Sequence, residues 1–256
     1  MSPKIWPVYI PSKGRPGGKT MSLLADDGVP FTLVVEPQDE AAYRRQWPRV
    51  DFLILGANDK GLPFSRNSIK AVAYPDWFWM LDDDIEKVYK TVNKRNVPAS
   101  VREAMEYVAG LVDVPQAAGL GQVALEYQQF AWRSPQPFVQ TGYCDVFVAV
   151  HGGRTKALWY VPELALKEDR DFTLQVLASG LQTARITRYS FSAPKNGSNA
   201  GGLFKAYAET GRELAVSKKM IEKWGPDVCK LNVKADGRPD IAINWKHFKK
   251  LRGVAG

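Results

Sequence analysis

Apolar positions in the first ninety residues come in short dense runs rather than in strict alternation. WPVYIPS (6–12), PFTLVVEP (30–37), DFLILG (51–56) and WFWML (77–81) are nearly continuous in hydrophobic, β-branched or aromatic side chains. Runs of that length predict strands covered on both faces, the pattern of a parallel sheet. Polar segments separate them. Gln38–Trp47 predicts a short helix, and SRNSIKAVAY (65–74) opens on a serine suited to cap a helix whose apolar face holds Ile69, Val72 and Ala73. KGRPGGK, after the first run, reads as a basic Gly/Pro-rich loop. The alternation predicts an open parallel sheet with helices on both faces, whose ligands sit outside the carboxyl ends of the strands.

The pattern changes after residue 90. VREAMEYVAGLV (101–112) predicts a helix, GQVALEYQQFAW and CDVFVAVHGG predict strands, and KEDRDFTLQVLASG (167–180) predicts an amphipathic helix closed by glycine. LQTARITRYSFSAP predicts a further strand. PKNGSNAGG (194–202) reads as a loop, FKAYAETGRELAVSKKMIEKWG as a long helix or helix pair, and INWKHFKK lies near the end of the chain. No repeat or linker divides the 256 residues, which predicts a single domain.

Composition adds two constraints. No apolar run approaches the roughly 20 residues of a membrane span, and the N-terminus has no signal-peptide core. With only Cys144 and Cys229, and no CxxC, a cytoplasmic location with free thiols is expected. The net charge of +8 is uneven: Lys205 to Arg252 carries twelve Lys/Arg against six Asp/Glu. That excess fits a polyanionic partner or a solvated Lys-rich surface.

The unusual chemistry lies where the fourth run ends, in WFWMLDDDI. Asp82, Asp83 and Asp84 stand at the ligand edge of the expected sheet, and clustered carboxylates there suit Mg²⁺ or Mn²⁺ shared with substrate phosphates. A helix beginning near Ile85 would offer another explanation, because aspartate favours helix N-termini. One cap accounts for one aspartate, not three. A phosphatase of the haloacid-dehalogenase type places its DxD after the first strand, whereas here about eighty residues of alternating α/β precede it.

IPSKGRP, LVVEP, GLPFSRNSIKAVA, WFWMLDDDI and LKEDRDFTLQVLASG, in that order, resemble the TET/JBP-associated glycosyltransferases, largely phage-encoded enzymes of GT-A type. The resemblance spans roughly residues 5 to 190. It implies a GT-A-like open sheet, mixed but mostly parallel, flanked by helices. Residues 1–90 would form the nucleotide-binding half and 91–256 the acceptor half with its basic C-terminal region. It also implies a UDP-sugar donor, a divalent cation (Mn²⁺ or Mg²⁺), and double-stranded DNA carrying 5-hydroxymethylcytosine as acceptor.

Site residues follow from the resemblance and the chemistry together. Pro11, Ser12, Arg15, Glu36, Arg66 and Asn67 would line the nucleotide-sugar site, with Arg15 suited to diphosphate oxygens and Glu36 to a nucleobase. Asp82 and Asp84 would meet the metal, Asp82 and Asp83 the nucleotide-sugar, and His247 would be an additional metal ligand. Asp169, then Glu168 and Asp171, would supply a general base for the acceptor hydroxyl. Lys195, Gly201, Gly202 and His151 would face the acceptor. Three alternatives share features of this sequence: a GT-A transferase with a protein, lipid or saccharide acceptor, a sugar-1-phosphate nucleotidyltransferase, and a basic non-catalytic DNA-binding module. The oligomeric state is open.

Overall fold

The four dense runs form β1 (Val8–Pro11), β2 (Thr32–Val35), β3 (Asp51–Ile54) and β4 (Trp77–Leu81) of a computed structural model. It describes residues 5–114, 117–133, 136–194, 209, 211–235 and 237–251. The strands are parallel and ordered β3-β2-β1-β4, with α1 (Lys19–Asp26), α2 (Glu40–Gln46) and α3 (Leu62–Ala73) as crossovers. Residues of β4 alternate between two cores, as a strand covered on both faces must. Trp77, Trp79 and Leu81 pack with Trp6, Met21 and Phe147, while Phe78 and Met80 pack with Ile69, Tyr160 and Phe172.

Beyond β4 the sheet is mixed. The aspartates cap no helix: a turn leads directly into the hairpin of β5 (Lys87–Val92) and β6 (Arg95–Ala99). Val92 pairs with Arg95, and Asn93 and Lys94 both take positive φ (49° and 60°), the geometry of a tight type I′ turn. Ser100 then caps α4 (Val101–Val112) by accepting from the Glu103 N–H at 3.3 Å. β7 (Leu120–Tyr127) ends sooner than the apolar pattern suggests, because Gln128–Ala131 turns into a short helix, α5. After β8 (Phe138–Gln140), β9 (Phe147–His151) inserts between β4 and β7, antiparallel to both. α6 (Glu168–Ala178) then leads to β10 (Gln182–Ser192), which completes a ten-stranded sheet ordered β3-β2-β1-β4-β9-β7-β10-β5-β6, with β8 also on β10.

The C-terminal part adds α7 (Arg212–Trp224), a hairpin of β11 (Cys229–Val233) and β12 (Pro239–Ile243), and α8 (Trp245–Leu251). Leu174 and Leu177 of α6 share a third apolar cluster with Val216, Met220, Ile241 and Phe248. A charged staple fixes the same contact. Asp240, 5% exposed, accepts from Arg170 at 2.8 and 3.2 Å and pairs with Lys167 at 2.9 Å. Two described carboxylates of the basic region, Glu213 and Asp240, are buried. Among the described residues no helix is long and apolar enough to cross a membrane.

Burial alone would raise the Asp240 pKa, but Arg170 and Lys167 hold it well below the usual carboxylate range. A carboxylate depressed in the folded state contributes stability above its unfolded pKa and loses it as pH falls toward the folded value. Asp240→Asn should therefore cost about 2–3 kcal/mol at pH 7. In denaturant titrations the difference from the parent protein should narrow below about pH 4.

Candidate active site

Three loops leave the carboxyl ends of β1, β2 and β4 side by side, so the edge nominated by the sequence is assembled. The turn after β4 is held from below by α1. The Thr20 hydroxyl donates to the Asp82 carbonyl at 2.6 Å, and the Ile85 N–H donates to that hydroxyl at 2.8 Å. Gly18 makes this approach possible: a Cβ there would stand 2.6 Å from the Asp83 carbonyl oxygen. The Asp82 N–H continues the ladder to the Val146 carbonyl at 2.9 Å.

The three aspartates have different surroundings. Asp83 is buried and faces β1, where Ser12 donates to it and Arg15 grips it at 2.6 and 3.1 Å. Tyr43 donates to Ser12 at 2.6 Å and accepts from the Arg15 N–H at 2.9 Å, which fixes the loop. Burial pushes the Asp83 pKa up to about 6 despite Arg15 and Ser12. Asp82 and Asp84 keep about a third of their side-chain surface open, 32% and 30%. Asp82 pairs with Arg66 at 3.1 Å, and Asp84 lies 3.5 Å from Arg15. Burial pushes the Asp82 pKa up to about 8; Arg66 opposes this, and Asp84, Asp83 and Asp169 add to it. That environment favours arrival of positive charge.

Arg66, 3% exposed, also joins the late helix, with its Nε 3.8 Å from Glu168. Glu168 is buried, accepts the Leu166 N–H at 2.8 Å, and has its pKa raised by burial and by Asp169. Asp169 accepts the Tyr143 hydroxyl at 2.5 Å and the Arg170 N–H at 2.7 Å. Its charge is felt at Asp82, Asp145, Tyr127 and Arg66, so these groups share one neighbourhood. Asp145 and Tyr127 meet there too, the tyrosine donating at 2.7 Å. Two non-glycine residues flank the site at left-handed φ, Val146 (47°) and Leu166 (85°). For a β-branched valine this conformation is costly, and such strain clusters at functional sites.

Other expected residues fall differently. Pro11 ends β1 beside Val34. Glu36 is buried at the end of β2, where it accepts from Lys13 at 3.0 Å and Gln38 at 2.6 Å. Lys13 also meets Asp59 after β3. Asn67 uses both ends of its amide on the Tyr160 backbone, at 2.8 and 2.9 Å, and so positions α3 rather than facing the edge. Asp171 turns away from Asp169 into the α7 contact, accepting from Trp224 at 2.8 Å and pairing with Lys223 at 2.6 Å.

His151 pairs with Trp77 at the start of β4, whereas the aspartates follow its end, so the antiparallel ladder puts this histidine at the opposite end of the strand. Its ring takes the Arg154 N–H at 3.2 Å and packs edge-on to Trp77. His247 lies in α8 against Phe248. Among the described residues no group of three or more His, Cys, Asp or Glu could hold a metal, so His247 is not gathered with Asp82 and Asp84. Two carboxylates remain a chemically reasonable seat for Mg²⁺ or Mn²⁺, which commonly takes its other oxygens from water and phosphate. Lys195, Gly201 and Gly202 lie outside the described residues.

Sequence reasoning missed Tyr143, Asp145, Tyr127 and Arg185. Arg185 pairs with Glu126 at 3.0 Å and lies 3.6 Å from Asp145. The one available signal was charge inside apolar strands, an aspartate in CDVFVAV and an arginine in TARITRYSF.

The model of the TET-associated glycosyltransferases matches residues 6–202, and the chain belongs to that family. No curated protein matches it. Among solved structures it is similar to S. aureus TarS 1–349 in complex with UDP-GlcNAc, at 12% identity and a TM-score of 0.54, over 85% of this chain and 67% of that one. It is also similar to glucosyl-3-phosphoglycerate synthase from Mycobacterium tuberculosis in complex with Mn²⁺, UDP and phosphoglyceric acid, at 11% identity and a TM-score of 0.53, over 94% and 87%. Against TarS 1–349 without ligand the match spans 59% of that chain. These likenesses establish the GT-A fold. The family identifies the chain as a glycosyltransferase.

The contact at Gly18 is directly testable. Gly18→Ala forces its methyl group against the Asp83 carbonyl and should lower the melting temperature by about 2–6 °C. Gly17→Ala, whose Cβ meets nothing within 4 Å, should leave it within about 1 °C.

Proposed function

We propose that this enzyme moves a sugar from a UDP-sugar to the hydroxymethyl group of 5-hydroxymethylcytosine in DNA, with Mn²⁺ or Mg²⁺ at Asp82 and Asp84. The observation that carries the reading is Arg66, which pairs with Asp82 at 3.1 Å and lies 3.8 Å from Glu168, the residue before Asp169, so that the acidic turn after β4 meets the acidic start of α6. Support for the acceptor comes from membership of the TET-associated glycosyltransferases and from the basic charge of the chain. Support for the donor comes from the UDP complexes of structurally similar proteins.

The cation would neutralise charge on the departing diphosphate. The chain's residues do the rest. Ser12, Arg15 and Asp83 form the floor under the nucleotide, and Glu36 offers carboxylate oxygens to N–H groups of the base once Lys13 or Gln38 shifts. Asp169 accepts the acceptor hydroxyl proton as that oxygen attacks the anomeric carbon and the bond to the diphosphate oxygen breaks, an inverting displacement. Tyr143 holds one Asp169 oxygen, leaving the carboxylate oriented. Arg66 links Asp82 to the helix bearing Asp169, which ties the donor side to the acceptor side.

The test is transfer from UDP-sugars to oligonucleotides with and without 5-hydroxymethylcytosine, read by product mass. A hexose-sized gain confined to the modified oligonucleotide is expected; modification of a saccharide or protein instead would remove the DNA assignment. Asp82→Asn and Asp84→Asn should each lower turnover by about 100-fold or more. EDTA should abolish activity, and Mn²⁺ or Mg²⁺ should restore it. Asp169→Asn should lower kcat by about 10²–10⁴, with UDP-sugar affinity, read by calorimetry, nearly unchanged.

A further inference from the structure

Segments 87–97, 127–144 and 180–194 together contain seven Lys/Arg and no Asp or Glu. The fold brings parts of all three together. The Asn96 side chain of β6 donates to the Gln128 carbonyl at the start of α5, at 3.0 Å. Arg188 sits where β10 loses register with β7, between Ile186 and Ser190; its N–H donates to the Pro137 carbonyl at 3.1 Å and its guanidinium to the Thr91 carbonyl of β5 at 2.9 Å. Lys94 and Arg95, at the type I′ turn, and Arg188 are exposed.

Aromatic surface accompanies this charge. Phe130 is 40% exposed and Trp132 48% exposed, directly after β7. Arg133 lies over both rings, 4.9 Å from the Phe130 centroid and 5.6 Å from that of Trp132. Exposed indole and phenyl rings are usually costly to leave in water, and a guanidinium stacked on them is the combination that holds unpaired bases while neutralising phosphates. The patch is continuous with the active site: Tyr127, the residue before α5, donates to Asp145 beside Asp169.

We propose that the face formed by the β5–β6 turn, α5 and the β10 bulge is a nucleic-acid docking surface, with Trp132 and Phe130 stacking on bases and Arg133, Arg188, Lys94 and Arg95 meeting phosphates. This rests on the DNA reading of the acceptor and names the surface it would use. It favours nucleic acid with an unstacked base, because a plain phosphate tracker needs no exposed aromatics.

Fluorescence anisotropy with a labelled single-stranded 20-mer and its duplex, at 50 and 200 mM KCl, tests it. Trp132→Ala should raise Kd by about 5- to 100-fold. Arg133→Gln with Arg188→Gln should weaken binding and flatten the salt dependence by about one to two in log–log slope. Lys218→Gln with Lys219→Gln, exposed on α7, should leave both unchanged. Melting temperature and DNA-independent UDP-sugar hydrolysis should stay at parent values in every variant.

Parent-like DNA binding in the patch variants, or loss only in the Lys218/Lys219 variant, overturns the surface while leaving the transferase reading intact. Equal patch-dependent binding of heparin overturns base stacking in favour of generic polyanion capture. Patch-dependent DNA binding with no sugar incorporated would instead remove the transfer reading and keep the surface. If the parent protein binds neither oligonucleotide, both fall.

Discussion

Adjacent carboxylates at the end of a buried strand repel one another, and the site depends on how that repulsion is divided. Two unit charges about 4 Å apart interact by about 4 kcal/mol near a protein surface, a sizeable share of the stability of a whole domain. Arg15 takes up Asp83 from the β1 loop, and Arg66 takes up Asp82 from α3. One aspartate is thereby made part of the frame, while Asp82 and Asp84 keep open surface. The same Arg66 reaches Glu168, so the acidic turn after β4 and the acidic start of α6 are set against one cation. Lysine would not replace it well, because only a planar guanidinium can address two carboxylates in fixed directions.

The first half of the sheet was legible because β1, β2 and β4 are covered on both faces, which leaves dense apolar runs in the sequence. Pairing direction was not legible in the second half. CDVFVAVHGG looks as apolar as the parallel strands, yet β9 runs antiparallel between β4 and β7. Apolar density reports coverage, not direction. The alternation requires a helix between β1 and β2, but the bounds of α1 are not legible because its N-cap is Gly18 and no side chain caps it, so the usual Ser, Thr, Asp or Asn signal is missing. The end of β7 was misplaced because QQFAW continues the apolar texture while its backbone turns helical and leaves Phe130 in solvent.

Position was legible where chemistry and strand ends coincide: Ser12, Arg15, Glu36 and the aspartates all follow the carboxyl ends of β1, β2 and β4. It was not legible where side-chain direction decides. Glu168, Asp169 and Asp171 are near neighbours on one helix, yet Glu168 meets Arg66, Asp169 meets Tyr143 and Asp171 meets Lys223. A helix rotates by about 100° per residue, so the adjacent Glu168 and Asp169 point in different directions, and Asp171 is taken up by Trp224 and Lys223 of α7. The two histidines show the converse error. Rarity drew attention to them, but His151 lies at the opposite end of β4 from the aspartates and His247 packs on Phe248.

The ladder between β4 and β9 has a mechanical consequence. β4 belongs to the parallel portion of the sheet, and β9 belongs to the portion that carries Asp145 and Tyr143, yet five residue pairs from Trp77–His151 to Leu81–Phe147 bind them edge to edge. Clamshell opening along that seam would require unzipping buried backbone hydrogen bonds, each costly to leave unmade. The two chemical neighbourhoods thus form one stiff anvil. Discrimination among substrates falls to the loops around its rim, and changing those loops is the natural route to a different sugar or a different acceptor.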